Sequence, residues 1–157
     1  GVSAATAGLV FRLYLTGTWT SARAGFLAQS IGRREAMLAA IVAGIAGLAL
    51  TATTWLATVL LGVAVFTGAF FVAHSLASSS VGLIATEDRA EASSMYLFSY
   101  YLGSSVVGWF SGHVLGWGGW GVLVCWLIGL FVLAGAATVV GTSGIRGPRR
   151  RPAGQTS

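Results

Sequence analysis

Residues 36–86 read AMLAAIVAGIAGLALTATTWLATVLLGVAVFTGAFFVAHSLASSSVGLIAT, 51 residues between Glu35 and Glu87 with no charged side chain and only His74 as an ionisable group. As a single helix this stretch would be about 76 Å long, more than twice a hydrocarbon core of about 30 Å. It therefore has to cross a membrane twice. The polar interruption Thr51-Ala52-Thr53-Thr54 is where the chain can turn.

Working outward, residues 92–145 repeat the pattern, with His113 as their only ionisable side chain apart from tyrosine and cysteine. Here Gly116-Trp117-Gly118-Gly119-Trp120-Gly121 combines glycine breakers with interfacial tryptophan and marks the turn. Ahead of both stretches, residues 4–31 suffice for one crossing, although they carry Arg12 and Arg23. The reading is an all-α membrane protein with five spans near 4–30, 35–53, 56–81, 92–114 and 120–140, followed by a disordered basic cytoplasmic tail at 142–157. Composition agrees: 55% of the 157 residues are hydrophobic and 8% charged, against about 25% charged in a soluble domain.

Charge then orients the bundle. Alternate connections put Arg33, Arg34, Arg89, Arg146, Arg149, Arg150 and Arg151 on one side, and no basic loop residue on the other. The positive-inside rule makes the first side cytoplasmic, with the C-terminus inside and the N-terminus of this sequence outside. An outside start without a leading Met is read as a chain cut in mid-bundle. The net charge of +5 is spent on orientation, so no nucleic-acid partner is expected. Cys125 stands alone, no Cys/His cluster has metal spacing, and no nucleophile elbow, phosphate loop or cofactor motif is present. The expectation is a non-enzymatic protein without metal or cofactor.

After the first span comes Gly25-Phe26-Leu27-Ala28-Gln29-Ser30-Ile31-Gly32-Arg33-Arg34. This resembles the cytoplasmic loop signature of the major facilitator superfamily, G-x-x-x-D-R-x-G-R-R, in its second-half copy, with Gln29-Ser30 replacing the acidic and basic centre. Residues 13–25, 68–79 and 92–106, which include Ser21-Ala22-Arg23-Ala24-Gly25 and Met95-Tyr96-Leu97-Phe98-Ser99-Tyr100-Tyr101, extend the resemblance to the YnfM-type, drug and arabinose-efflux-like branch of that superfamily. The resemblance implies that the five spans are helices eight to twelve of a twelve-helix fold, whose first seven helices are not in this sequence. It also implies secondary transport of small molecules across the bacterial inner membrane, through two halves that rock around a midplane site. The loop Gly25, Gln29, Gly32, Arg33 and Arg34 would then be a cytoplasmic gate, with Gln29 giving a weaker latch than the family's acid. The rival expectation is a complete small membrane protein, either an oligomeric channel subunit or a structural assembly factor.

Polar groups inside the spans are functional candidates because burying them in lipid is costly. Arg12 and Arg23 are eleven residues apart, about 1100° of helix, and so share one stripe. Arg12 can snorkel outward; Arg23 either lines a substrate pathway or snorkels inward. His74 stands beside Ser75, Ser78, Ser79 and Ser80, and is either satisfied in close helix packing or lines a cavity as a proton-relaying imidazole. Tyr96 and Tyr100 share a face at i, i+4 and fit an aromatic belt or a cavity wall. His113 is expected at the membrane interface, and Asp88 and Glu91 have capping-box spacing ahead of the fourth span. Gly108, Gly112 and Gly116 form a small-residue stripe for helix packing, and Gly44 to Gly47 offer a second small surface. The partners expected are the lipid bilayer, a small-molecule substrate and the absent N-terminal helices.

Overall fold

The computed structural model describes residues 23–85 and 87–143, with side chains to 141. Regular structure among the described residues is helical throughout, without a strand. Residues 23–30 form α1, the described part of the first expected span; residues 4–22 of that span lie outside the described residues. Next come α2 at Arg33–Leu50 and α3 at Leu56–Ile84. The 55-residue stretch Arg89–Ser143 is broken at Gly119, where φ is 70° and ψ −170°. We number its arms α4, before Gly119, and α5, after it.

Local chemistry explains these boundaries. Ile31 N–H closes the last turn of α1 onto the Leu27 carbonyl at 3.1 Å, and Gly32 then adopts φ 93°, a conformation that disfavours any side chain. Its carbonyl accepts the first bond of α2 from Ala36 N–H at 2.9 Å. Glu35 in the first turn of α2 complements the positive end of the helix dipole. At the other end of α2, Thr51 turns its hydroxyl onto the Leu48 carbonyl at 2.6 Å, and the chain reverses across residues 51–55. This is the turn read from the threonines.

The boundaries differ from expectation in ways that have causes. α2 starts two residues before the expected 35 and ends three before 53, because Gly32 starts the helix and the threonines end it. α3 runs three residues beyond 81, to Ile84. The fourth helix begins at Arg89 rather than 92, and the fifth continues to Ser143 rather than 140. The six-residue turn expected at 116–121 shrinks to one residue: only Gly119 leaves helical geometry, since a single positive-φ residue redirects the chain. Asp88 takes the cap position, its carbonyl accepting from Ala92 N–H at 3.0 Å. Its φ of 52° is left-handed rather than the extended geometry of a capping box, so that expectation is corrected.

Two ends of the bundle follow. Trp120 donates its indole N–H to the Thr51 carbonyl at 2.9 Å, which ties the Gly119 break to the α2–α3 turn. At the opposite end Arg33 reaches the last turns of α3. Between them, Ala24, Ala36, Ala40, Val72 and Leu76 make a core of mostly small side chains where α1, α2 and α3 meet. Farther along, Phe66 of α3 and Phe131 of α5 pack with ring centroids 5.7 Å apart.

Large apolar side chains also cover the outside: Phe98, Trp109 and Trp117 on α4 are 63%, 67% and 87% exposed. Leu56–Ile84 and Arg89–Gly141 are long and apolar enough to cross a membrane, and only 22% and 11% of their most apolar windows are buried, which sets them apart from core helices of a soluble protein. The second, at 53 residues, would be about 80 Å long unbroken, so the Gly119 break divides more than one crossing's length. α2 is not among these candidates; three of its 18 residues, Arg33, Arg34 and Glu35, are charged.

Candidate functional site

The i, i+4 pair Phe70 and His74 on α3 faces the i, i+4 pair Tyr96 and Tyr100 on α4. Tyr96 Oη and His74 Nδ1 are 3.1 Å apart in a hydrogen bond. The His74 ring lies 4.6 Å from that of Tyr100 and stacks on Phe70 at 5.9 Å with an 11° interplanar angle. Tyr101 continues the cluster, edge-on to Tyr100 at 5.3 Å. His74, Tyr96 and Tyr100 are half-buried. His74 and Tyr100 line a cavity of about 460 Å³ whose other walls include Ile41 of α2 and Phe131 and Thr138 of α5.

This arrangement has one reversible element. Neutral imidazole with its proton on Nε2 accepts the Tyr96 hydroxyl proton at Nδ1; protonated imidazole donates from Nδ1 to the same oxygen. A change in the charge of His74 therefore reverses the direction of a hydrogen bond between two helices. No charged side chain is among the described residues that line the cavity. Arg23 is not in this ring cluster; it is exposed on the first described turn of α1, beside buried Ala24.

The signature loop sits at the other polar focus. Nη1 of Arg33 donates to Ser79 Oγ at 2.8 Å, Ser80 Oγ at 3.1 Å and the Leu76 carbonyl at 3.4 Å. The two serines in turn donate to that carbonyl, at 3.1 and 2.6 Å. The serines thus receive an arginine from another helix, a partner that sequence reasoning missed. The signal was available only indirectly, since a hairpin of α2 and α3 brings the start of one beside the end of the other. Gly25, Gln29 and Arg34 are exposed, and Gly32 supplies the turn that holds Arg33 in place.

The two glycine surfaces behave differently. At Gly108, Gly112 and Gly116 nothing among the described residues stands within 4 Å of where a Cβ would lie. Gly47 and Gly62, by contrast, bring the α2 and α3 backbones together, with the Cβ position of Gly47 2.8 Å from the Gly62 carbonyl oxygen. His113 is satisfied on its own helix, with Nδ1 3.0 Å from the Trp109 carbonyl and its ring 4.3 Å from the Trp109 ring. Among the described residues, no group of three His, Cys, Asp or Glu side chains is placed to hold a metal.

Apolar outer walls, small-residue helix contacts and a polar pair set against an apolar cavity define a helical membrane protein. Curated relatives narrow the class. The chain is 41% identical over 137 residues to the inner membrane transport protein YnfM of Escherichia coli, an alignment covering 85% of this chain and 33% of the relative. It is 41% identical over 110 residues to an uncharacterized MFS-type transporter, YybF, of Bacillus subtilis, covering 70% of this chain and 27% of the relative. An uncharacterized transporter of Buchnera aphidicola is 38% identical over 111 residues, 71% of this chain and 27% of the relative. The chain belongs to the major facilitator superfamily. It spans a third or less of the length of these relatives. No family model and no solved structure matches it.

Proposed function

We propose that this chain is the C-terminal helical bundle of a secondary active transporter that exports small molecules across the bacterial inner membrane by alternating access, with protons as the coupling ion. Its five spans correspond to helices eight to twelve, and N-terminal helices of the same protein complete the substrate pathway. The observation that carries this reading is the His74–Tyr96 hydrogen bond, a proton-responsive link between two apolar helices next to a cavity. The names of the relatives favour transport over an oligomeric channel or a structural protein. Arg23 is assigned to the pathway from its place in Arg-Ala-Gly, and Gly25, Gln29, Gly32, Arg33 and Arg34 to the cytoplasmic gate. Gly108, Gly112 and Gly116 present a surface for the helices outside this chain.

The test is transport by the full-length protein in everted membrane vesicles, with a panel of hydrophobic drugs and sugars and an imposed pH gradient. Accumulation of a panel member that collapses when a protonophore dissipates the gradient is the expected result. Accumulation that persists without the gradient overturns proton coupling, and no movement of any panel member overturns export of these classes.

Orientation is a separate prediction. The end holding Arg33, Arg34 and Arg89 is proposed to be cytoplasmic, and the end holding Thr51 and Gly119 external. In intact cells a membrane-impermeant thiol reagent should label Gly118→Cys directly, while Ser143→Cys should need permeabilisation, both in a Cys125→Ser background. The opposite pattern inverts the orientation.

A further inference from the structure

At the end of the bundle where α1 turns into α2, a cleft of about 310 Å³ opens between α2, α3 and α5, and its walls divide by chemistry. Arg33, Arg34, Ser80 and Thr138 are its polar lining, and Met37, Leu83 and Ile84 its apolar lining. Leu83 and Ile84 are 65% and 69% exposed, so the apolar side is open to whatever surrounds the bundle. Arg33 is held in advance: Nη1 makes all its bonds to Ser79, Ser80 and the Leu76 carbonyl, and Nε and Nη2 remain to meet a ligand. Arg34 is exposed beside it. Glu35, the acid next in sequence, folds back over Gly32, with Oε2 2.6 Å from where a Cβ would stand there.

Two guanidiniums set against an exposed aliphatic wall match an amphiphile with an anionic head. We propose that this cleft binds one anionic phospholipid, with the phosphate held by Arg33 and Arg34 and an acyl chain laid along Leu83 and Ile84. Guanidinium forks match phosphate oxygens in geometry as well as charge, and basic pockets between membrane helices are suited to lipid headgroups. Free phosphate shares the head chemistry but leaves Leu83 and Ile84 uncovered, whereas the lipid satisfies both walls. A lipid seated there would bridge α2, α3 and α5 at the end where the signature loop lies.

The experiment uses the full-length protein in phosphatidylcholine vesicles containing a trace of spin-labelled phosphatidylglycerol or spin-labelled phosphatidylcholine, reading the motionally restricted lipid fraction. With two arginines on the phosphate the parent should prefer phosphatidylglycerol by well over five-fold, and Arg34→Gln should cut that preference about five-fold, since one basic residue near a charged headgroup contributes about that factor. Arg89→Gln removes the same charge at the same end but outside the cleft, where Arg89 Nε bonds the Ala85 carbonyl at 3.1 Å, and it should leave the preference in place. Equal restriction of the two lipids by the parent, or equal losses in the two variants, overturns the site in favour of a diffuse basic surface. Complete displacement of the labelled lipid by inorganic phosphate assigns the cleft to a free anion and overturns the lipid.

Discussion

Gly47→Leu should leave almost no folded protein in the membrane. A Cβ at Gly47 would stand 2.6 Å from the Phe66 nitrogen and 2.8 Å from the Gly62 carbonyl oxygen. Reciprocally, a Cβ at Gly62 would stand 2.6 Å from the Gly47 carbonyl oxygen. These obstacles are backbone, so no rotamer change makes room, and α2 and α3 must separate by most of an ångström even for alanine. Association of helices in lipid depends on close packing, because lipid tails are as apolar as the helix surface and burial in the bundle has little to add. Overpacking of this kind costs about 1–3 kcal/mol where side chains yield, and the upper end or more is expected where they cannot. The measurement is monodisperse yield and thermal unfolding of the full-length protein in mild detergent. Gly47→Ala should lower the melting temperature and Gly47→Leu should abolish the folded peak. Gly82→Ala, where nothing stands within 4 Å, should leave the melt unchanged or slightly higher. A Gly47→Leu protein that melts like the parent would mean that α2 and α3 do not approach this closely.

That contact also marks how far the sequence could be read. Gly44 to Gly47 and the regularly spaced Gly108, Gly112 and Gly116 both read as small surfaces for helix packing. Spacing shows that a helix can be approached closely; it does not identify which helix approaches. In the structure the first surface meets α3 and Phe131, and the second meets nothing among the described residues. The Thr51–Thr54 turn was legible because polar residues interrupt an apolar run too long for one crossing. The Trp-Gly stretch was legible as a break, but its length was not, since several glycines tolerate helix and only Gly119 needs φ 70°. The Arg33 clamp was hidden because its partners lie 43 to 47 residues away and depend on the register of the α2–α3 hairpin. His74, Tyr96 and Tyr100 could be picked out as polar groups in apolar helices with i, i+4 spacing, and the structure brings them together. Arg23 met the same criterion of polarity at depth, but that criterion could not say which helix face it would share.

Separating charge from hydrogen bonding at that cluster gives the second large effect. If the proton carried during transport resides on His74, export by the full-length protein should depend on pH. His74→Gln preserves a side chain that can bond the Tyr96 hydroxyl but cannot carry a proton, so the pH dependence should be lost. Tyr96→Phe preserves the ring and the titrating group but removes the oxygen 3.1 Å from Nδ1. It should retain the slope of the profile and lower the rate at every pH by about ten-fold, the worth of one hydrogen bond of about 1.4 kcal/mol if that bond is made only in the rate-limiting arrangement. A double variant built on His74→Ala, which removes the bond, distinguishes a linked pair from two independent groups: if the two act through one bond, adding Tyr96→Phe to His74→Ala lowers the rate by much less than ten-fold. A His74→Gln protein that keeps the full pH dependence would place the titrating group on another helix and leave His74, Tyr96 and Tyr100 as packing between α3 and α4. Loss of the pH dependence with unchanged expression would fix the proton at His74, beside the cavity shared by α3, α4 and α5.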